Sequence, residues 1–164
     1  PVCGKPFLMH LIENYISQGA SEFVLLLHYK SELIQSMIAA SYESNALLGV
    51  KVQSIVEDEP LGTGGSVMNA IKRLNITESF LVVNADTWLD AGFRDLSTSP
   101  ANSIAAVEVK DSSRYGTLDV VDNKIVRFLE KTIFCLEFGF SWKPIELNLL
   151  AFFLCRSFNM YFCL

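Results

Sequence analysis

Phe7, Leu8, Leu11, Ile12, Tyr15 and Ile16 recur at helical spacing, and Gly19 follows them, which predicts one helix stopped at that glycine. Phe23–Leu27 is a short continuous apolar run and reads as a strand buried on both faces. Ser31 is placed to cap a second helix that carries Leu33, Ile34, Met37 and Ile38. Val50–Val56 alternates as a strand does, Thr63–Leu74 has the spacing of a third helix, and Phe80–Asn84 is a second buried strand. Helix and strand in strict alternation predict a doubly wound α/β sheet, with right-handed crossovers and helices on both faces. Beyond Asp90 the rhythm changes. Ser103–Lys110, Gly116–Val121 and Lys124–Leu129 read as strands, with Asp122-Asn123 as a hairpin turn between the last two.

The two ends depart from this pattern. The sequence opens at Pro1 in the lead-in to a helix, with no strand before it, although the first strand of a doubly wound sheet is normally central. The expectation is a sheet lacking its first strand, with the backbone edges of two neighbours left open. At the other end, residues 132–164 hold seven of the twelve phenylalanines and three of the four cysteines, without clean periodicity. Two domains are therefore expected: residues 1–131 as the α/β part and 132–164 as an aromatic-rich tail. That tail is either non-native sequence after a frameshift or read-through at Lys131, or an aromatic-rich hairpin or helix.

Composition narrows the partners. Of 164 residues, 51% are hydrophobic and 19% charged, enough for a globular core and unlike a disordered chain. The net charge is −5 and no run of Lys or Arg exceeds two, which argues against a nucleic-acid backbone partner but leaves room for a small anionic substrate. Cys3, Cys135, Cys155 and Cys163 form no CxxC pair, and His10 and His28 lie far from them, which argues against zinc and for buried thiols in a reducing cytosol. The apolar stretch Leu147–Cys155 is nine residues long, well under the ~20 that a membrane-spanning helix needs.

Candidate chemistry gathers after two of the strands. Glu57–Ser66 (EDEPLGTGGS) lies between a strand and a helix, where α/β sheets bind ligands. Its glycines allow close backbone approach, Thr63 is placed to cap the following helix, and free N–H groups there favour an acceptor-rich partner. A Glu57 carboxylate offers two acceptors side by side, matching the paired N1–H and N2–H2 donors of guanine better than the acceptor-flanked edge of uracil or thymine. The alternative is a plain glycine-rich turn. Asp86 follows the strand Phe80–Asn84 and suits Mg²⁺, which takes one or two carboxylates together with phosphate oxygens. It could equally serve as a turn residue, as could Asp90. At the later strand ends, Glu130 could accept sugar hydroxyls and Lys131 could meet a phosphate, although exposed charges there are commonly just solvated. The P-loop pattern GxxxxGK[ST], the GxGxxG fingerprint and GxSxG are all absent from the sequence.

Taken in order, five segments resemble the sugar-1-phosphate nucleotidyltransferase family over Pro1 to Lys131: Pro1–Pro6 (PVCGKP), Glu57–Gly65, Asn84–Thr87 (NADT), Ser113–Gly116 (SRYG) and Arg127–Lys131 (RFLEK). The resemblance implies a Rossmann-like nucleotidyltransferase fold with a mixed sheet, substrates consisting of a nucleoside triphosphate and a sugar 1-phosphate, and a Mg²⁺ cofactor. It implies nucleotide binding by Glu57, Gly62, Thr63 and Gly64, metal binding by Asp86, and sugar-side roles for Gly116, Glu130 and Lys131. EDEPLGTGG followed by NADT is most similar to guanylyltransferases acting on D-glycero-D-manno-heptose 1-phosphate, with mannose-1-phosphate guanylyltransferases and uridylyl- or thymidylyltransferases as alternatives. The family's GxGTRL loop and its following lysine would precede Pro1, so the catalytic residues are not among these 164 and the chain as given is expected to be inactive. A non-catalytic remnant with weak nucleotide binding is the alternative of another class.

Overall fold

The computed structural model describes residues 1–99, 102–106, 108 and 116–129, together with the backbone of strands at 145–147, 153–154 and 159–163. They form two compact units, one of residues 1–104 with 151–164 and one of residues 105–150.

The first unit opens with a tight turn, Val2 and Lys5 exchanging N–H to carbonyl bonds of 2.8 and 3.0 Å across Cys3-Gly4. Helix α1 (Phe7–Ser17) follows, and its end is closed by the Gly19 N–H on the Ile16 carbonyl (2.9 Å), as the sequence pattern anticipated. Then come β1 (Glu22–Leu27), α2 (Ser31–Glu43), β2 (Lys51–Val56), α3 (Gly62–Leu74), β3 (Phe80–Asn84) and a short α4 (Phe93–Ser97). β1 and β2 pair in parallel from Glu22 against Lys51 to Leu27 against Val56. The apolar run of β1 is buried on both faces because each face meets helices. Phe23, Leu25 and Leu27 pack with α1, with Ile38 of α2, and with Leu81 and Val83 of β3. Val24 and Leu26 pack on the opposite face with Ala70 of α3 and with Phe80 and Val82. This two-sided burial is the doubly wound arrangement.

The central position is filled from far along the chain. With β6 (Ile145–Leu147) assigned to the second unit, β7 (Phe153–Leu154) and β8 (Asn159–Cys163) join this sheet in the order β2-β1-β8-β3-β7. β8 runs parallel to both neighbours, Phe162 lying opposite Leu25 of β1 and Val83 of β3. β7 pairs antiparallel with β3, which makes the sheet mixed. No strand of this sequence precedes α1, as expected, but the neighbours' edges are not open: residues 159–163 occupy the place between them.

In the second unit, β4 (Gly116–Val121) and β5 (Lys124–Leu129) form the anticipated antiparallel hairpin, with β6 on the other side of β4. Asp122 (φ 50°) and Asn123 (φ 59°) both adopt the left-handed conformation that a two-residue hairpin turn of primed type demands. A bulge lies between Asp119 and Val120, and Asp119 meets Arg127 across the strands at 3.3 Å.

Three local expectations are corrected. Ser31 and Thr63 do not cap their helices. Each lies within the first turn, the cap positions being Lys30 and Leu61, neither with a side-chain cap bond. The reason is that chain reversal at Lys30 (φ 55°) and at Gly62 (φ 68°) comes one residue earlier than a side-chain cap would need. Cys3 is exposed rather than buried, because it forms the tip of the Val2–Lys5 turn. Of the strand expected over Ser103–Lys110, the described residues 103–106 and 108 are not in a strand, and the rest lie outside the described residues.

Candidate functional site

A cavity of about 470 Å³ opens at the carboxyl ends of β1, β2 and β3. Each strand delivers side chains to it: His28 and Tyr29 follow β1, Glu57 follows β2, and Asn84 closes β3 with Asp86 two residues on. Gly62, Thr63 and Ser66 line it from the first turn of α3. The tertiary structure thus brings together Glu57, Gly62, Thr63 and Asp86, which are up to 29 positions apart in sequence. Gly64 lies in the same helical turn without lining the cavity.

Glu57 is the chemical centre of this arrangement. Its backbone is fixed at both poles by the end of β1. The Glu57 N–H donates to the Leu27 carbonyl (2.8 Å), and the His28 Nδ1–H donates to the Glu57 carbonyl (2.9 Å). Because a carbonyl only accepts, this bond places the ring proton on Nδ1. The Glu57 side chain is 93% buried, being only 7% exposed. Oε2 accepts the Leu61 N–H at 3.2 Å, closing the loop on itself, whereas Oε1 is buried with no hydrogen-bond partner. A buried acceptor without a donor is costly, and native structures leave few of them. Glu57 lines the cavity, so a donor on a ligand there would meet its carboxylate.

The turn into α3 is built by glycine. Gly62 has φ +68°, where a side chain is strained whatever the room. A Cβ on Gly65 would stand 2.9 Å from Leu61 Cβ, so a side chain there would force the Leu61 side of the turn to shift. The first turn of α3 lies at the cavity, and a helix start carries the positive end of the dipole and N–H groups without intrahelical partners. Ser66 Oγ donates back to the Gly62 carbonyl (2.9 Å) and takes no part in capping.

Asp86 is exposed at the rim, with Oδ1 accepting the Thr87 hydroxyl at 3.0 Å. Its turn is anchored to α1: Asn14 Nδ2 donates to the Leu89 carbonyl (2.9 Å), and the Trp88 ring lies 6.4 Å from that of Phe7. Among the described residues no cluster of three or more His, Cys, Asp or Glu could hold a metal ion by itself. A single carboxylate with free lone pairs at the mouth of a cavity still suits Mg²⁺, which completes its shell with water and substrate phosphate. The residues lining the cavity include two carboxylates and neither Lys nor Arg. An anionic ligand therefore needs added positive charge there.

Gly116 opens β4 in the other unit, opposite Leu147 of β6. Glu130 and Lys131 lie outside the described residues. Ser66 and Asn84 fall within the EDEPLGTGGS and NADT segments without a role of their own, and neither His28 nor Tyr29 is assigned one by the sequence pattern. The signal that could have found His28 and Tyr29 is their position directly after the carboxyl end of a buried strand.

Residues 1–132 match the nucleotidyl transferase family, and the chain belongs to it. It is 33% identical over 135 residues to D-glycero-alpha-D-manno-heptose 1-phosphate guanylyltransferase of Campylobacter jejuni, covering 82% of this chain and 58% of that protein. It is 34% identical over 139 residues to a mannose-1-phosphate guanyltransferase of Candida albicans, covering 79% of this chain and 37% of the relative. The crystal structure of HddC from Yersinia pseudotuberculosis complexed with GMP-PN superposes with a TM-score of 0.71 at 31% identity, covering 94% of this chain and 65% of that one. The chain thus spans somewhat over half the length of the heptose-phosphate relative and about a third of the mannose-phosphate one.

Proposed function

We propose that this chain carries the nucleotide-binding part of a sugar-1-phosphate guanylyltransferase. In that reaction an oxygen of the sugar 1-phosphate attacks the α-phosphorus of GTP. A new P–O bond forms, the bond to the β-phosphate side breaks, and pyrophosphate leaves. The observation that carries this reading is the buried Glu57 carboxylate, one oxygen closing its own loop and the other unpaired, on a residue that lines the cavity. Guanine offers the adjacent donors that such a carboxylate accepts, while a pyrimidine carbonyl would be repelled. Gly62, Thr63 and Gly64 provide the helix N-terminus beside the base. Asp86 would hold Mg²⁺, which when bound neutralises phosphate charge and favours departure of pyrophosphate. Gly116, Glu130 and Lys131 are assigned to the sugar phosphate.

The names of the relatives support a heptose 1-phosphate as the sugar substrate, with mannose 1-phosphate as the alternative. The GMP-PN carried by the Yersinia structure supports a guanine nucleotide. The cavity lining holds two carboxylates and neither Lys nor Arg. GTP binding in this cavity therefore draws its positive charge from Mg²⁺. A cytosolic setting suits these substrates.

Calorimetric titration of GTP and UTP in the presence of Mg²⁺ tests the base assignment. GTP should bind at least about ten-fold more tightly, the worth of one good charge-assisted hydrogen bond. Equal affinity, or preference for UTP, would overturn it.

A further inference from the structure

Tyr29 is a large aromatic residue, 80% exposed, on the loop that joins β1 to α2, and it lines the same cavity as Glu57. Nothing in the packing of the core requires it there. The residue after it, Lys30, takes the left-handed conformation (φ 55°, ψ 32°) that a lysine adopts only at a cost, and from there caps α2, its carbonyl accepting the Leu33 N–H at 3.1 Å. The Lys30 ammonium stands 5.1 Å from the Tyr29 ring centroid, within cation–π range. One ring face is thereby engaged, and the exposure of the residue leaves the other to a ligand. The residue before it, His28, is tied by Nδ1–H to the Glu57 carbonyl. The loop bearing the ring and the loop bearing the carboxylate are therefore joined by a direct hydrogen bond.

We propose that Tyr29 is the stacking platform of the nucleobase site, binding the face of the base while Glu57 binds its edge. This rests on the nucleotide reading of the cavity, though not on the base being guanine. A flat heteroaromatic ring gains from a π-face whatever its edge pattern, whereas Glu57 alone distinguishes one edge from another. A purine covers more of the phenol ring than a pyrimidine does, so Tyr29 adds a preference for two-ring bases on top of the edge selection.

The test is titration of GTP and UTP, with Mg²⁺, into the full chain and into Tyr29→Ala, Tyr29→Phe and Glu57→Gln, with a thermal melt of each. Tyr29→Ala should weaken GTP about ten-fold, weaken UTP less, and leave the melting temperature unchanged, since the side chain is exposed. Tyr29→Phe should bind GTP within about two-fold of the parent, because the π-face and not the hydroxyl is used. GTP binding by Tyr29→Ala within two-fold of the parent overturns the proposal. So does a loss in Tyr29→Phe as large as that in Tyr29→Ala, which would mean a hydrogen bond instead of stacking. Glu57→Gln separates the two readings: an unchanged GTP to UTP ratio there overturns the guanine assignment, yet leaves a loss in Tyr29→Ala as evidence for stacking. A parent chain that binds neither nucleotide overturns both.

Discussion

The two ends of α3 offer the sharpest contrast in the molecule. Its N-terminus lines the cavity of about 470 Å³ at the carboxyl ends of the strands, and its C-terminus lines another of about 310 Å³ at their amino ends. Both cavities carry charged side chains. At the amino end Lys51 Nζ meets Glu22 Oε2 at 3.2 Å, both groups being about half exposed, and Lys72 and Arg73 in the last turn match the negative end of the helix dipole. At the carboxyl end Glu57 is buried with an unpartnered oxygen, Asp86 has no cation beside it among the lining residues, and the dipole presents its positive end. One cavity has its charges compensated by the protein, and the other waits for a ligand to do so. A hole with charges in it is thus weak evidence for a site, and an uncompensated buried group is far better evidence.

The comparison can be broken first at what both ends share. Leu25, 1% exposed on β1, supports the sheet under both cavities. Leu25→Ala should cost about 3 kcal/mol in urea unfolding and weaken nucleotide binding only through that loss. Next comes the α1 side of the core. Burial pushes the Tyr15 hydroxyl from 10.0 up to about 12. Below pH 10 the phenol is neutral in both states and adds no pH dependence. Between pH 10 and about 12 the unfolded chain releases its proton while the folded chain retains it, so stability falls as pH rises, by about 3 kcal/mol, and levels off above. Denaturant melts of Tyr15→Phe should lack that alkaline slope.

The contrast itself is tested by a matched pair. Glu57→Gln should lower GTP affinity about ten- to hundred-fold in calorimetry, while raising the stability of the ligand-free chain by up to about 1 kcal/mol because an unpaired buried charge is removed. Lys51→Gln, at the compensated end, should change GTP affinity less than about two-fold and stability by no more than about 0.5 kcal/mol. Between these, Gly62→Ala should cost about 1 kcal/mol from the left-handed backbone alone, since its Cβ would meet nothing within 4 Å. A loss of several kcal/mol there would mean that the turn is also packed against something.

Much of the fold was legible because its signals are local. The apolar runs at Phe23–Leu27 and Phe80–Asn84, the helical spacing from Phe7 to Ile16 and the Asp122-Asn123 turn each depend on neighbours in sequence, and each became the expected element. The caps assigned to Ser31 and Thr63 failed because a backbone conformation one residue earlier decided where the helix began. For the site, the glycine-rich loop and the aspartate were visible as motifs. His28 and Tyr29 were given no role, since a position after a strand end becomes a site position only once the register of β1 against β2 sets it beside Glu57.

The sequence alone determined the alternation of helices and strands, the family, and a loop able to offer a carboxylate to a base. Only the tertiary structure decided what that carboxylate is worth. It buried Glu57 on the end of β1, used one oxygen to close the loop and left the other without a donor. It also drew residues 159–163 between β1 and β3, completing a sheet whose earlier strands leave that place empty. Both outcomes arise from pairing between segments far apart in the chain. Local propensity cannot encode such pairing, because its free energy exists only once the partners have met.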